Sequence, residues 1–199
     1  MATLLSTKTL WYAARGTGFV TVVMLTLSLT LGILTTLRLK SKYWPRFVTA
    51  ALHKNVSLLA VVFLAAHIAS TVFDPVSPVH LLNAIIPFTG SYRPLWIGCG
   101  VVAVDLLAAL VVTSLLRQHI GYRVWRAVHW SAYACWPIAM LHGLKSGTDA
   151  ATPWARGVYI TCAALVLAAV AGRVIAAMFE PAATRSDPAR RVVYPGVAR

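Results

Sequence analysis

Five stretches of this chain stay apolar for the ~20 residues that a helix needs to cross the roughly 30 Å hydrocarbon core of a bilayer. They fall at about 17–37, 47–73, 95–116, 124–144 and 156–179. The whole composition agrees, with 59% hydrophobic residues, 12% charged residues and a mean hydropathy of +0.73, a balance foreign to soluble domains. The expected fold is therefore all-α: an integral membrane bundle of about five transmembrane helices over 17–179. An N-terminal interfacial segment, 1–16, precedes it and a basic tail, 180–199, follows. The 124–144 run is the least apolar, carrying Arg126, His129, Ser131, Pro137 and His142, and a span that polar needs a reason to be in the membrane. The segment 79–89, VHLLNAIIPFT, is too short to cross. It fits a helix or re-entrant piece at the interface, where it could cover whatever lies on that side.

Charge sets the expected orientation. The 18 Lys and Arg against five Asp and Glu leave a formal +13, an excess that suits nucleic acid or an anionic membrane surface. Here the cations lie between apolar runs rather than on one amphipathic face, so membrane lipid is the expected partner and nucleic acid is not. Arg38, Lys40, Lys42, Arg46 and Lys54 surround the first loop, Arg117, Arg123 and Arg126 the third, and Arg173, Arg185, Arg190, Arg191 and Arg199 the far end. Lys8, Arg15, Arg93, Lys145 and Arg156 fall on the opposite side. The asymmetry predicts an N-out, C-in, multi-pass membrane protein. Trp11, Tyr12, Tyr43, Trp44, Tyr92, Trp96 and Trp154 lie near span ends, as interfacial aromatics do. The first run is expected to be retained rather than cleaved, since it is too long for a leader and its strongest basic cluster follows it. Cys99, Cys135 and Cys162 all sit in apolar runs without metal-ligand spacing and read as small buried hydrophobes. Gly98 to Gly100 forms a GxG inside a span, without the strand and helix that a nucleotide site needs. No flavin or nicotinamide site is expected in this chain.

Four of the six histidines lie inside two spans, His53 and His67 in the second and His129 and His142 in the fourth. Fourteen residues, about four turns and ~21 Å of rise, separate the first two, which share a face to within ~40°. Thirteen residues, or ~20 Å, separate the second two. Their heights match the first pair, but on a straight helix they stand ~140° apart. Both can face one partner only if the helix tightens or kinks, and Pro137 between them is a plausible source. The second and fourth spans run the same way through the membrane, so His53 meets His129 near the inner surface and His67 meets His142 near the outer one. Facing imidazoles can ligate iron from both sides of a porphyrin. Without a CxxCH, attachment would be non-covalent, giving two b-type haems that divide the bilayer into short electron hops.

A lone intramembrane histidine can instead hydrogen-bond a neighbouring helix, and zinc wants three or four clustered ligands; four histidines at matched depths suit neither. His80 and His119 read as surface residues. Asp105, near the middle of the third span, could hydrogen-bond a ligand histidine, stop a proton path or pack in protonated form. Arg15, followed by Gly16 and Gly18, could pair with an outer-haem propionate or snorkel to the interface. Lys54 and Arg126 carry the same two readings at the inner haem.

Residues 12–175 resemble the ferric reductase-like transmembrane domain family, which includes NADPH oxidases, ferric reductases and the haem subunit of a periplasmic methionine-sulfoxide reductase. The segments that carry the resemblance are ARGTG at 14–18, LHKNVSLLAVVFLAAH at 52–67, PFTGSYRPLWIG at 87–98, TSLLR at 113–117 and GYRVWRAVHWSAYACWPIAMLHGLKSGTD at 121–149. The chain looks most like stand-alone actinobacterial members. The family's histidines, 14 apart in one helix and 13 apart in another, map onto His53, His67, His129 and His142. The resemblance implies two stacked b haems passing electrons outward, as the haem subunit of a redox system. Larger members have six spans and a fused flavin and NADPH domain, so the donor expected here is a separate cytoplasmic flavin reductase or a quinol. The acceptor would be an extracytoplasmic redox protein or ferric iron. Two rival expectations stand beside this one: a terminal ferric reductase acting directly at the outer haem, and a haem-free transporter or scaffold.

Overall fold

A computed structural model describes residues 2–37 and 46–179. It contains α1 (Ala2–Leu37), α2 (Arg46–Val72), α3 (Leu81–Ile85), α4 (Pro94–Leu115), α5 (Arg117–Ile120), α6 (Tyr122–His129), α7 (Ala132–Ser146) and α8 (Pro153–Met178). The fold is all-helical. Most of the basic first loop (Arg38, Lys40 and Lys42), the side chain of Arg46 and the tail 180–199 lie outside the described residues, as do Tyr43 and Trp44.

Among the described residues four helices are long and apolar enough to span a membrane: Lys8–Leu37, Phe47–Val72, Pro94–Leu115 and Pro153–Met178. The expected fourth span is divided into α6 and α7, of eight and 15 residues, each too short to cross alone. Together they still cover the run. The break at Trp130 and Ser131 is made by tightened bonds: Ser131 N–H to the Val128 carbonyl, Tyr133 to Trp130 and Ala134 to Ser131, each three residues back instead of four. Each residue in such a stretch turns ~120° rather than ~100°, which is the sense of rotation that the 13-residue histidine spacing requires. Pro137 lies inside an unbroken α7, and the tightening stands just before it, on the side where its ring crowds the preceding turn.

α1 continues well beyond the expected start of the first span, taking in Trp11, Tyr12 and Arg15. Three of its hydroxyls are absorbed along the helix: Thr17, Thr21 and Thr26 donate to the carbonyls of Ala13, Thr17 and Val22, as Ser and Thr do where no water is at hand. Pro94 and Pro153 begin α4 and α8 at positions where no N–H is needed.

α2 packs principally along α1; α1 in turn packs on α7 and α8, and α7 on α4. One buried cluster, Val22, Met140, Tyr159 and Cys162, joins α1, α7 and α8, and a second, Ala103, Leu110 and Cys135, joins α4 to α7. Trp136 Nε1 ties the first together by donating to Thr26 Oγ1 at 2.9 Å. Outward faces carry exposed Leu58, Leu59, Val62, Ile160 and Leu167, as expected where the solvent is lipid. Cys135 and Cys162 are buried, as their setting suggests, and Cys99 is half-buried. Between α2 on one side and α4, α6 and α7 on the other, a gap remains, and the four histidines face it.

Candidate functional site

The chain pairs the histidines by depth. The rings of His53 and His129 lie 6.3 Å apart between centroids with planes crossed at 76°, and those of His67 and His142 lie 6.3 Å apart, crossed at 77°. Two unrelated helix spacings, 14 and 13, thus arrive at one geometry. A metal–imidazole bond of about 2.0 Å, plus about 1.1 Å from ring nitrogen to ring centre, predicts about 6.2 Å for two imidazoles in line across one ion. The 6.3 Å spacing of each pair is thus one that could admit a metal between its rings.

Hydrogen bonds assign the nitrogens. His67 Nδ1 is 2.7 Å from the Ala14 carbonyl oxygen, His53 Nδ1 2.9 Å from that of Ser28, and His142 Nδ1 2.8 Å from that of Trp96. A carbonyl only accepts, so each Nδ1 carries the proton and each Nε2 keeps its lone pair, the tautomer that a metal ligand needs. The fourth ring differs: His129 Nδ1 is buried without a hydrogen-bond partner, while Trp125 stacks on the ring at 4.8 Å.

The three accepting carbonyls share a device that the sequence reading did not find. Four residues after each acceptor stands a glycine: Gly18 after Ala14, Gly32 after Ser28, Gly100 after Trp96. A Cβ at Gly18 would lie 3.0 Å from His67 Nδ1, one at Gly32 would lie 3.3 Å from His53 Cε1, and one at Gly100 would lie 2.6 Å from His142 Nδ1. In an α-helix the side chain of residue i+4 stands over the carbonyl of residue i, so only glycine leaves that oxygen open to a neighbouring ring. The two acceptors on α1 are 14 residues apart, like the two histidines on α2, as antiparallel helices in constant register demand. This spacing was available in the sequence as Gly18 and Gly32. It also explains the GxG: Gly100 admits His142 and Gly98 admits the Phe88 ring.

A cavity of about 300 Å³ opens at the His67–His142 level, walled by α1, α2, α4, α7 and Tyr159 of α8. Ser77, Pro78, Val79 and Ala84 close part of it, so the expected interfacial segment does cover this end. Arg15 lines it, in an ion pair with Asp149 and stacked 3.9 Å over the Trp11 ring. At the other level Ser57 donates to the His53 carbonyl and shares a 2.6 Å hydrogen bond with Ser28.

Other candidates lie apart from the rings. Asp105 is on an exposed face of α4, with no hydrogen bond to any of the four facing histidines. A carboxylate there points away from α7 because the contact face of α4 is set by Ala103 and Leu110. Lys54 is exposed, and Arg126 is engaged with the Tyr122 hydroxyl one turn away. His80 and His119 are exposed. Arg173, which the sequence reading used only for orientation, bridges the Thr36 hydroxyl at 2.6 Å and the Tyr133 hydroxyl at 3.4 Å beside the α6–α7 break. Among the described residues no three His, Cys, Asp or Glu gather at one point. Two protein ligands per site suit a metal whose remaining ligands come from a macrocycle.

Neither a search of curated proteins nor one of solved structures found a match. A scan against protein families matched residues 17–140 to the ferric reductase like transmembrane component. The match takes in His53, His67 and His129 and ends two residues before His142.

Proposed function

The chain belongs to the ferric reductase-like transmembrane family, and from that premise we propose that it carries electrons across a bacterial cytoplasmic membrane through two bis-histidine b-type haems. His53 and His129 hold the inner haem and His67 and His142 the outer one, with Arg15 beside an outer propionate. The donor is a cytoplasmic flavin reductase or membrane quinol, and the acceptor an extracytoplasmic redox protein or ferric iron. The observation that carries this proposal is the equal 6.3 Å spacing of two crossed imidazole pairs, three of whose rings are locked with Nε2 free.

When bound, each haem supplies an iron that cycles by one electron without taking up substrate. The protein's part is to hold and insulate. The α1 and α4 carbonyls fix three imidazoles in one tautomer and orientation before a metal arrives, so little reorganisation accompanies binding. The apolar walls exclude water, and the 14- and 13-residue spacings set the two sites ~20 Å apart along the helix axes, dividing the span into short steps.

The test is a dithionite-reduced minus oxidised optical spectrum of the purified protein, with haem quantified per chain. About two b-type haems per chain are expected, and His53→Ala and His67→Ala should each remove one. No haem after haem-replete expression, or full haem content in both variants, would overturn the proposal. Reduction of a ferric chelate by the purified protein with an artificial donor would place the acceptor reaction on this chain; dependence on a secreted protein would make it a subunit.

A further inference from the structure

Tyr159 is 6% exposed and packed among Val22, Met140 and Cys162, with the Phe19 ring 5.6 Å away. Its hydroxyl makes no hydrogen bond among the described residues. A buried phenol normally has a partner, because an unpaired one loses the bonds that it made in water. Thr21 and Thr71 line the same cavity and donate to carbonyls of their own helices. That outlet is closed to Tyr159, since a phenol oxygen stands too far from its own backbone.

Gly143 fixes where that oxygen lies. A Cβ there would come within 2.5 Å of Tyr159 Oη and 3.3 Å of Cζ, and Gly143 and Tyr159 both line the cavity. Gly143 directly follows His142, so the hydroxyl sits close to the height of the His67–His142 pair. On α1, Arg15 and Phe19 stand one turn apart on one face, which puts Arg15 and Tyr159 on the same wall. α1 packs on both α2 and α7, so this wall flanks the axis between the two rings, and a flat ligand clasped by them turns an edge toward it. The wall offers that edge a cation and a spare O–H donor, two groups that together recognise a carboxylate. We propose that the Tyr159 hydroxyl, admitted by Gly143, donates to a propionate of the His67–His142 haem and is a second carboxylate anchor beside Arg15. This rests on the haem assignment above.

The test compares the haem-loaded wild type with Tyr159→Phe, which strands no protein group because the hydroxyl bonds none, and which should assemble with its full haem content. Haem transfer to apomyoglobin should speed up about tenfold at one site, the one emptied in His67→Ala, and leave the other unchanged. Resonance Raman spectra should show a propionate-bending band displaced, a change that loss of packing alone does not produce. Gly143→Ala gives a second reading: its methyl should speed haem loss in the wild type yet add little in the Tyr159→Phe background, where the oxygen that it displaces is gone. Unmoved propionate bands in Tyr159→Phe, faster loss from both sites alike, or equal harm from Gly143→Ala in the two backgrounds overturns this inference and leaves the haem assignment standing. A wild-type protein without haem overturns both.

Discussion

His67 and Ala14, 53 positions apart in the chain, are joined by a 2.7 Å hydrogen bond from Nδ1 to the carbonyl oxygen. The bond exists because Gly18, one turn beyond Ala14, carries nothing that would stand over that oxygen. The same relation recurs at Ser28 and Gly32 and, on α4, at Trp96 and Gly100. Orientation of the rings is thus written on the helices that face them, as much as in the histidines themselves.

A graded series follows. Added methyls would approach the rings to 2.6 Å at Gly100, 3.0 Å at Gly18 and 3.3 Å at Gly32, and forced overpacking in a rigid site costs about 1–3 kcal/mol. Gly100→Ala should lose the most haem, from the His67–His142 site. Gly18→Ala should lose less from that same site, and Gly32→Ala least, from the other. Haem per chain by pyridine haemochrome checks the order, and an inverted order would show that the glycines serve some other purpose.

Arg15 lines the cavity while Asp149, its ion-pair partner, holds it from the 147–152 loop. If Arg15 meets a haem propionate, its charge matters more than that of Asp149. Charge-assisted hydrogen bonds contribute about 1.5–3 kcal/mol, so Arg15→Met should speed haem loss from the His67–His142 site to apomyoglobin by roughly ten- to a hundredfold. Asp149→Asn should change it several-fold at most. Equal rates for wild type and Arg15→Met would remove Arg15 from the site.

Thr26, 1% exposed, accepts the Trp136 indole proton between the two histidine levels. Thr26→Val keeps the shape and strands a buried donor, a defect worth about 1–3 kcal/mol. Thermal inactivation in detergent should shift down accordingly. Thr26→Ser, retaining the acceptor, should stay close to wild type.

Asp105 faces outward from α4 within a membrane-spanning helix. An Asp at the centre of a span costs on the order of 3 kcal/mol for insertion. Asp105→Leu should therefore insert at least as well as wild type, with unchanged haem content and spectrum. A loss of haem in that variant would mean that the carboxylate supports the site after all.

Much of the fold was legible because bilayer thickness leaves a helix few lengths to choose from: α2, α4 and α8 begin and end within three residues of the expected spans. The histidine pairing was legible too, since 14 and 13 residues of helix give nearly equal rises. The location of the adjustment was less so. Pro137 is visible in a sequence, whereas nothing in the residue types at Trp130 and Ser131 marks the tightened turn itself, beside which Arg173 stacks over Trp130 and bonds Tyr133. Asp105 could not be assigned to a face, because α4 is apolar nearly all round and offers no contrast from which to read its orientation. The carbonyl acceptors were invisible for a plainer reason: every residue has one, and only the neighbouring glycine marks those left open.

α2 rests on α1 and on little else, with the gap on its other side. During synthesis it enters the membrane before any of the helices across that gap, where its histidines meet those of α6 and α7. A prosthetic group bound there would act as the last structural member, a crosspiece joining halves that the polypeptide alone leaves ajar. Supply of that group, rather than translation, would then set how many copies survive membrane quality control.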